Sequence, residues 1–405
     1  MLPPAVLLLA ITVRADFEAG SIGKVEFPSP NHLRCAVKGE TDQDGRNRQP
    51  SWFYFRLDGV AGRELVIELT GLHGEYNYRC HDGSGHRNMR PVYSYDNRNW
   101  RHFASSEWDP ALSAIRVRLK AEADRVWIAR QPPYTTRHLA RLLDQLRGNP
   151  WVRRQAVGRS VEGRPIWLLT VTDFKLPDKA KKVIWWMARQ HAWESGTSWV
   201  TEGALRFLVS DAREAARIRE TSIFLFFPTA DPDGVHRGGV RFNKYGYDLN
   251  RNWDAVDLQK MPEIDCQRRA ILDWVDAGRR LDLFLTLHNT ESQDYIEGPL
   301  SASPSLRALG ERFWKLLVEE TPFYSPGGPR DQSRSTDPGK KGRMTVNQAL
   351  YEERKIPALL MELMVDPNPR LGRPPTLEDR LKFGAALVRI LRAAVEEGPH
   401  AKMLN

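Results

Sequence analysis

The distribution of apolar residues predicts a series of buried β-strands in the second two-thirds of the chain. Each run is rich in β-branched or aromatic residues and lacks the alternation of polar and apolar positions that half-exposed strands have. The runs lie at residues 166–171, 183–187, 221–228, 281–287 and 356–365. Segments with apolar residues at helical spacing lie at residues 137–147, 198–208 and 377–397. Strands alternating with helices favour an α/β domain with a mixed sheet.

The first third of the chain has a different pattern. Short strand-like runs, separated by turns rich in Gly, Asn and Asp, are typical of an all-β sandwich. Pro132 and Pro133 end the last of these strands, and Thr135 can cap the helix that follows. We therefore predict a small antiparallel β-sandwich domain over residues 16–132 and a larger α/β domain over residues 133–405.

Polar groups lie at or near the ends of three predicted strands in the larger domain. His191 and Glu194 follow one apolar run, and His288 ends another. Glu362 lies inside a third run, where an unpaired carboxylate is costly unless it is neutralised, hydrogen-bonded or facing a metal. By themselves, His191 and Glu194 would also fit a solvated loop. Together, the four positions favour one site at the carboxyl ends of the strands.

Two imidazoles and one carboxylate, with a fourth position left open, form the ligand set of a catalytic zinc ion. We predict that His191, Glu194 and His288 bind one Zn²⁺ per chain. The additional carboxylate of Glu362 is then suited to act as a general base on a water molecule. The sequence therefore indicates a hydrolytic zinc enzyme.

The order of these motifs resembles the metallocarboxypeptidases of the carboxypeptidase A type, the M14 family. It comprises an H-x-x-E sequence, an Asp-Pro-Asp-Gly turn, an Asn-Arg pair, a strand-ending His and a strand-borne Glu. The small β-domain in front makes the chain similar to the cytosolic-carboxypeptidase branch. The resemblance implies an α/β, mixed-sheet zinc carboxypeptidase catalytic domain. It also implies hydrolysis of the C-terminal peptide bond of peptides or proteins.

The same resemblance assigns roles to three more residues. Asn250 and Arg251 would bind the substrate's terminal carboxylate, and Arg241 would polarise the scissile carbonyl. Arginine suits both tasks because it offers bidentate donors and a charge that does not titrate away. The chain departs from the family at Ala192-Trp193, where Pro-Gly is usual. This change concerns the cleft wall and therefore the specificity.

A Gly-, Pro- and Ser-rich stretch at residues 323–345 carries five basic residues against two acidic ones. Long loops of this kind in compact domains are often functional. We expect Arg343 or Arg334 to meet an acidic side chain, which would give a preference for Glu at the substrate's C-terminus.

The net charge of +9, from 60 basic and 51 acidic residues, suggests anionic partners. No block of Lys and Arg and no recognisable nucleic-acid-binding module accompanies this excess. The expected partners are therefore peptide or protein C-termini, without nucleic acid and without membrane insertion. The oligomeric state is not indicated.

Residues 1–15 contain an apolar core and a small-residue cleavage pattern, and they are too short to span a bilayer. We interpret them as a signal peptide and expect a secreted or periplasmic protein. The alternative is a cytoplasmic protein in which this segment forms a first strand. The three cysteines imply no framework of bridges, although a Cys35–Cys80 bridge would be compatible with export.

Two other functions remain compatible with the sequence. A related zinc hydrolase acting on cell-wall peptides or N-acyl amino acids would share the catalytic core. The Asn250-Arg251 pair and the β-domain favour the carboxypeptidase over it. A catalytically silent binding protein is disfavoured, because every expected ligand and Glu362 are present.

Overall fold

The computed structural model describes residues 10–332 and 341–396 of the 405-residue chain. These residues divide into two compact units. The first contains the described residues up to Thr41, together with Gly45–Pro133 and Arg237–Val240; the second contains Asp42–Asp44, Tyr134–His236 and the described residues from Arg241 onward. Within these ranges, every helix is too short or too polar to cross a membrane.

The first unit is built from short strands. In chain order they are β1 (Thr12–Arg14), β2 (Val25–Ser29), β3 (His32–Ala36), β4 (Tyr54–Asp58), β5 (Glu64–Thr70), β6 (Gly74–Tyr76), β7 (Arg79–His81), β8 (Val92–Ser94), β9 (Arg101–His102), β10 (Glu107–Asp109), β11 (Ala114–Lys120) and β12 (Arg125–Ala129). They form two five-stranded sheets, β1-β4-β12-β8-β9 and β10-β11-β5-β3-β2, and a separate β6–β7 hairpin.

The two sheets share one hydrophobic core. Phe55 and Leu57 of β4 pack in the same buried cluster as Ile67 and Leu69 of β5. Alternate residues of each strand supply this core, as expected for a sandwich with one solvated face per sheet. The predicted antiparallel β-sandwich is confirmed, with one exception: β3 and β5 run parallel.

The N-terminal boundary differs from the predicted one. Thr12–Arg14 pair antiparallel with β4, and Ile11 belongs to the buried core. The first unit therefore begins before residue 16, and cleavage after Ala15 would remove an edge strand. Residues 1–9 of the predicted signal peptide lie outside the described residues. Cys35 is buried, Cys80 is exposed, and the two are not bridged.

The second unit contains the remaining strands and the helices. The strands are β13 (Val152–Arg159), β14 (Pro165–Val171), β15 (Lys182–Ala188), β16 (Ser222–Phe227), β17 (Leu283–Thr290), β18 (Tyr295–Gly298), β19 (Arg330–Asp331) and β20 (Ala358–Met364). The helices are α1 (Thr136–Gln145), α2 (Ser195–Leu208), α3 (Arg213–Thr221), α4 (Pro232–Arg237), α5 (Pro262–Asp276), α6 (Pro304–Glu320), α7 (Val346–Arg354) and α8 (Leu377–Glu396). Arg237, the last residue of α4, falls in the first unit.

The eight strands form one mixed sheet in the order β13-β14-β16-β15-β17-β20-β18-β19. Apolar side chains on one face pack against α1, α2, α6 and α8, and those on the other face pack against α5 and α7. Strands buried on both faces need apolar residues at every position, which explains the uninterrupted runs in the sequence. The predicted α/β fold with a mixed sheet is confirmed.

Helix α2 is held close to α8. A Cβ atom added at Gly384 would lie only 1.9 Å from the carbonyl oxygen of Val200, so the two backbones meet without side chains between them. This close approach fixes the position of α2, whose first residue directly follows Glu194.

The chain direction through the sheet creates a crevice at the end of β15. From β15 the chain crosses to β16 on one side, and from β16 it returns past β15 to β17 on the other side. In open α/β sheets, ligands bind at such a switch point, beyond the carboxyl ends of the strands. His191 and Glu194 follow β15, and His288 lies near the end of β17.

Candidate metal centre

Three buried side chains converge at this switch point. The Nδ1 atoms of His191 and His288 lie 3.2 Å apart, and His191 Nδ1 lies 2.8 Å from Glu194 Oε1. One ligand atom from each residue lies within 4.8 Å of the others. All three residues are almost completely buried. The structure therefore brings together the three residues predicted to bind the metal.

The contact made by Nε2 of His191 determines whether Nδ1, the nitrogen that faces Glu194, carries a lone pair or a proton. His191 Nε2 lies 3.1 Å from Asp248 Oδ1, and Asp248 also accepts from Arg241 Nε at 2.7 Å. Burial alone would raise the pKa of Asp248, but the charge of Arg241 and the interaction with His191 hold this pKa well below its usual value. An ionised Asp248 can only accept, so His191 carries its proton on Nε2 and directs the Nδ1 lone pair inward.

His288 is also anchored through its outer nitrogen. Nε2 lies 3.2 Å from Thr286 Oγ1 and 3.3 Å from Asn250 Nδ2. The Thr286 hydroxyl donates its proton to Gln190 Oε1 at 2.7 Å. These contacts fix the plane of the imidazole and leave Nδ1 directed toward Glu194. Burial is the main reason that the pKa of His288 is lowered, which favours the neutral ring that a metal requires.

This arrangement fits a bound cation. The inward lone pair of His191 faces a carboxylate oxygen, and two acceptors at 2.8 Å repel each other unless a proton or a metal lies between them. Glu194 Oε2 is buried and has no hydrogen-bond partner among the described residues, although it lies 3.2 Å from His288 Nδ1. Two neutral imidazoles and one carboxylate are donors that zinc accepts in hydrolases.

The pKa of Glu194 also supports a bound cation. Burial would raise its pKa, but the interactions with His191 and His288 lower the pKa to about 2. The site around Glu194 thus favours the ionised carboxylate. A divalent ion could provide the compensating positive charge without protonating either ring.

Glu362 lies on the strand beside His288. It is directly opposite His288 in the parallel β17–β20 pair, and one of its carboxylate oxygens, Oε2, is buried without a hydrogen-bond partner in the described part of the chain. Burial, together with the nearby charges of Glu194 and Glu297, raises the pKa of Glu362 well above its usual value. A carboxylate with a raised pKa, beside a candidate metal centre, is suited to accept and return a proton.

The predicted carboxylate-binding residues also lie at this site. Asn250 Nδ2 contacts His288, and Asn250 Oδ1 accepts from the backbone N–H of Val346 at 3.1 Å. Arg251 is buried and donates from Nη1 to the carbonyl of Asn250 at 2.8 Å. Within the described residues, no group accepts from Arg251 Nε, which is buried. Arg251 thus retains donor capacity, and its role in substrate binding stays a prediction.

Arg241 and Arg343 differ in their surroundings. Arg241 is buried and paired with Asp248 through Nε, so part of its guanidinium supports His191; its predicted contact with the scissile carbonyl remains untested. Arg343 is half-buried between Gly342 and Met344, whose backbone N–H groups donate to Asp254 at 2.9 and 3.1 Å. The segment carrying Arg343 therefore lies beside the Asn250-Arg251 loop. Arg334 lies outside the described residues.

Sequence reasoning missed two acidic residues of the site. Asp248 lies two residues before Asn250, and its position beside the Asn-Arg pair is the signal that could have identified it. Glu297 interrupts the short strand β18 and acts electrostatically on both Glu362 and Arg251. A carboxylate within a strand was the same signal that identified Glu362.

We expect the substitution Asp248→Asn to lower zinc affinity by about 10–100-fold, the usual effect of losing a group that orients a metal ligand. The amide can present its NH₂ group to His191 Nε2 and so favour the wrong tautomer. Zinc competition against a chromophoric chelator would measure the change. Asp273→Asn, at an exposed position of α5, is the matched control. Equal zinc affinity in Asp248→Asn and the wild type would show that Asp248 does not orient His191.

Two family models match the chain. The model described as zinc carboxypeptidase matches residues 139–296, and the model described as the cytosolic carboxypeptidase N-terminal domain matches residues 13–130. The first match contains the three candidate metal ligands, Arg241, Asn250 and Arg251. Glu362 lies beyond it, so its assignment depends on the geometry described above.

The chain is similar to proteins of both bacteria and animals. It is 23% identical to an uncharacterized protein of Zymomonas mobilis, with 96% of this chain and 98% of that protein covered. It is 37% identical to human cytosolic carboxypeptidase 6 over 77% of this chain and 64% of that protein. The chain spans only 33% of mouse cytosolic carboxypeptidase 3.

Two solved structures resemble nearly the whole chain. A metallo-carboxypeptidase from Burkholderia cenocepacia has a TM-score of 0.81 at 26% identity and covers 96% of this chain and 99% of its own. A metallo-carboxypeptidase from Pseudomonas aeruginosa, solved with (2-guanidinoethylmercapto)succinic acid, has a TM-score of 0.80 at 26% identity, with coverages of 95% and 99%.

Proposed function

The chain belongs to the zinc carboxypeptidase family, and from this premise we propose that it is a zinc-dependent metallocarboxypeptidase. It would hydrolyse the C-terminal peptide bond of peptides or proteins. The observation that carries the proposal is the buried His191–Glu194–His288 cluster, with Glu362 on the adjacent strand and Arg251 nearby. These groups supply a metal site, a base and an anchor for a terminal carboxylate.

The chain's own residues would divide the work between binding and proton transfer. Arg251 and Asn250 would hold the terminal carboxylate, so that the last peptide bond lies above the metal centre. Glu362 would take a proton from the attacking water and return it to the leaving amine. Arg241 would add positive charge near the developing oxyanion while it keeps Asp248 ionised.

Zinc is the proposed cofactor, held by His191, Glu194 and His288. When bound there, it would act as a Lewis acid that lowers the pKa of a water molecule and polarises the carbonyl. The buried donor set, in which a carboxylate oxygen lacks a hydrogen-bond partner among the described residues, supports this choice.

A preference for Glu at the substrate's C-terminus is a finer expectation. It rests on Arg343, whose flanking backbone is bonded to Asp254 close to the Asn250-Arg251 loop. The ligand of the similar P. aeruginosa protein contains both a succinic acid and a guanidino group. That ligand is therefore compatible with carboxylate recognition, and it does not favour an acidic side chain over a basic one.

We propose peptide or protein C-termini as partners, without nucleic acid and without membrane insertion. For location, relatives named cytosolic carboxypeptidases match most of this chain, which supports the cytoplasmic alternative over export. Cleavage after Ala15 would also remove strand β1 from its sheet. A signal peptide is therefore not part of the proposal.

The proposed activity predicts chelator-sensitive release of single C-terminal amino acids from N-blocked peptides. Removing zinc should abolish release, and adding zinc back should restore it. The matched control is the same peptide with an amidated C-terminus. It should react at least about 100-fold more slowly, because Arg251 has no carboxylate to bind. Mass spectrometry of the products would measure both.

Other results of this assay would count against the proposal. Release from free and amidated peptides at equal rates would exclude a carboxypeptidase. Binding of zinc without release from any peptide would favour the hydrolase of cell-wall peptides or N-acyl amino acids. An absence of zinc binding would contradict both the carboxypeptidase and the alternative zinc hydrolase.

A further inference from the structure

Strand β18 provides a second acidic residue on the catalytic face of the sheet. In the antiparallel β18–β20 pair, Tyr295 lies opposite Glu362 and Glu297 lies opposite Leu360. Side chains of opposite residues point to the same face, and alternate residues of one strand share a face. Ile296, on the other face, is part of the main hydrophobic core. Glu297 and Tyr295 therefore project to the same side of the sheet as Glu362.

Glu297 is half-buried, and the charge of Arg251, a predicted carboxylate anchor, acts on it. Burial raises its pKa, while the positive charges of Arg251 and Arg330 lower it. Across residues 10–332 and 341–396, its carboxylate has no hydrogen bond and no ion pair within 4 Å. The carboxylate of Glu297 can therefore still accept hydrogen bonds from a bound molecule. Because the charge of Arg251 acts on Glu297, we treat the two residues as parts of one pocket.

Arg330 is the second cation that acts on Glu297, and it is exposed to solvent. Its guanidinium lies over the ring of Tyr295, 4.4 Å from the ring centre. Solvent screens a charge in this position more strongly than a charge beside the buried Arg251. Glu297, which is half-buried, is therefore the less screened of these two charges.

From this geometry we infer that Glu297 selects substrates whose C-terminal residue has a cationic side chain, lysine or arginine. This inference rests on the proposed carboxypeptidase function. When the terminal carboxylate binds Arg251, it compensates the charge of Arg251 and leaves Glu297 facing the side chain of the same residue. A lysine or arginine would pair with Glu297, a leucine would leave it uncompensated, and a glutamate would be repelled.

This inference is the opposite of the preference for a C-terminal Glu that the basic residues at 323–345 predict. Arg343 is half-buried in a loop, where the backbone N–H groups of the residues on either side of it donate to Asp254. Glu297 is fixed on a strand that pairs directly with the strand of Glu362. Side chains on paired strands are held in position more firmly than side chains on loops, and electrostatic selection needs such fixed charges.

The test compares the zinc-loaded protein on peptides that differ only in the last residue: Lys, Arg, Leu or Glu. We expect kcat/KM for Lys and Arg to exceed that for Leu by at least about tenfold, with Glu the poorest. In Glu297→Gln, the Lys-to-Leu ratio of kcat/KM should fall at least about tenfold. Glu311→Gln removes the same charge from the exposed face of α6 and should leave the ratio unchanged.

A binding experiment separates this inference from the proposed function. Zinc-loaded Glu362→Gln, with and without Glu297→Gln, would be titrated with Lys- and Leu-ended peptides. Tighter binding of the Lys-ended peptide, lost in the double variant, supports the inference even if the wild type hydrolyses nothing. Hydrolysis with Glu preferred, or with a Lys-to-Leu ratio unchanged by Glu297→Gln, overturns it and leaves the carboxypeptidase intact. Absence of both hydrolysis and selective binding overturns both.

Discussion

Replacing Glu362 by Gln should lower kcat for peptide hydrolysis by about 10³-fold, within the range usual for loss of a general base. Gln keeps the size and shape of the side chain but cannot take up the proton. KM and zinc content should stay close to the wild-type values, because Glu362 is not one of the three converging metal ligands. Steady-state kinetics and metal analysis of the same preparation would measure all three quantities.

The pH dependence gives a second measure of the same residue. Burial and the charges of Glu194 and Glu297 raise the pKa of Glu362, so the base is lost as pH falls through that raised value. The acidic limb of the wild-type profile should therefore disappear in Glu362→Gln. Equal kcat in both proteins, or an unchanged acidic limb, would assign the proton transfer to another group.

The Glu362→Gln substitution should lower activity without lowering the stability of the metal-free protein. Because the folded state raises the pKa of Glu362, this group lowers the stability of the fold at pH values above the ordinary pKa of a glutamate, and the penalty disappears as pH falls below that ordinary pKa. A neutral Gln avoids that penalty. We therefore expect the metal-free variant to be at least as stable as the metal-free wild type, a common consequence of removing a strained functional group.

The fold was predictable because its strands are buried on both faces. The runs that become β15, β17 and β20 have apolar residues at nearly every position, which distinguishes them from the half-exposed strands of the first unit. The sequence pattern predicted the first and last residues of helices and strands less accurately. Helix α2 begins at Ser195 and not at residue 198, because its first turn buries Ser195, Thr197 and Ser198. These polar residues have no apolar periodicity that could mark the start.

The first strand illustrates another limit of local pattern. A short apolar segment near the N-terminus has the same composition in a signal peptide and in an edge strand. What distinguishes them is the pairing partner, and β4 lies about 40 residues away in the sequence. Such a long-range contact leaves no local signal in β1.

The candidate site was predictable to the extent that its residues lie at strand ends. His191, His288 and Glu362 each belong to or follow a buried strand, and the carboxyl ends of neighbouring parallel strands must meet. Asp248 lies on a loop that folds back onto His191, a contact between residues 57 positions apart. Glu297 becomes a neighbour of Glu362 only because β18 adds to β20 and not to β17, which precedes it in the chain. Neither relation is encoded in residue spacing.

Substituting His288 by Ala should remove zinc and activity together. The wild type should bind about one zinc ion per chain, and the variant should bind roughly three orders of magnitude more weakly, if each ligand contributes a similar share of the binding free energy. Zinc should raise the thermal midpoint of the wild type but not of the variant, since a ligand stabilises only the state that binds it. This readout does not depend on catalysis.

Zinc affinity should fall in His288→Ala because no neighbouring side chain among the described residues can replace the lost imidazole as a ligand. His191 and Glu194 alone leave a two-ligand site, and neither Thr286 nor Asn250, which now contact His288, offers an equally strong zinc donor. His73→Ala is the matched control, because His73 is exposed and belongs to the first unit, outside the cluster. If His288→Ala retained full zinc affinity while His73→Ala lost it, the metal would bind elsewhere. Because the cluster at the end of β15 would then have no cation to satisfy it, the hydrolytic function would lose its structural basis.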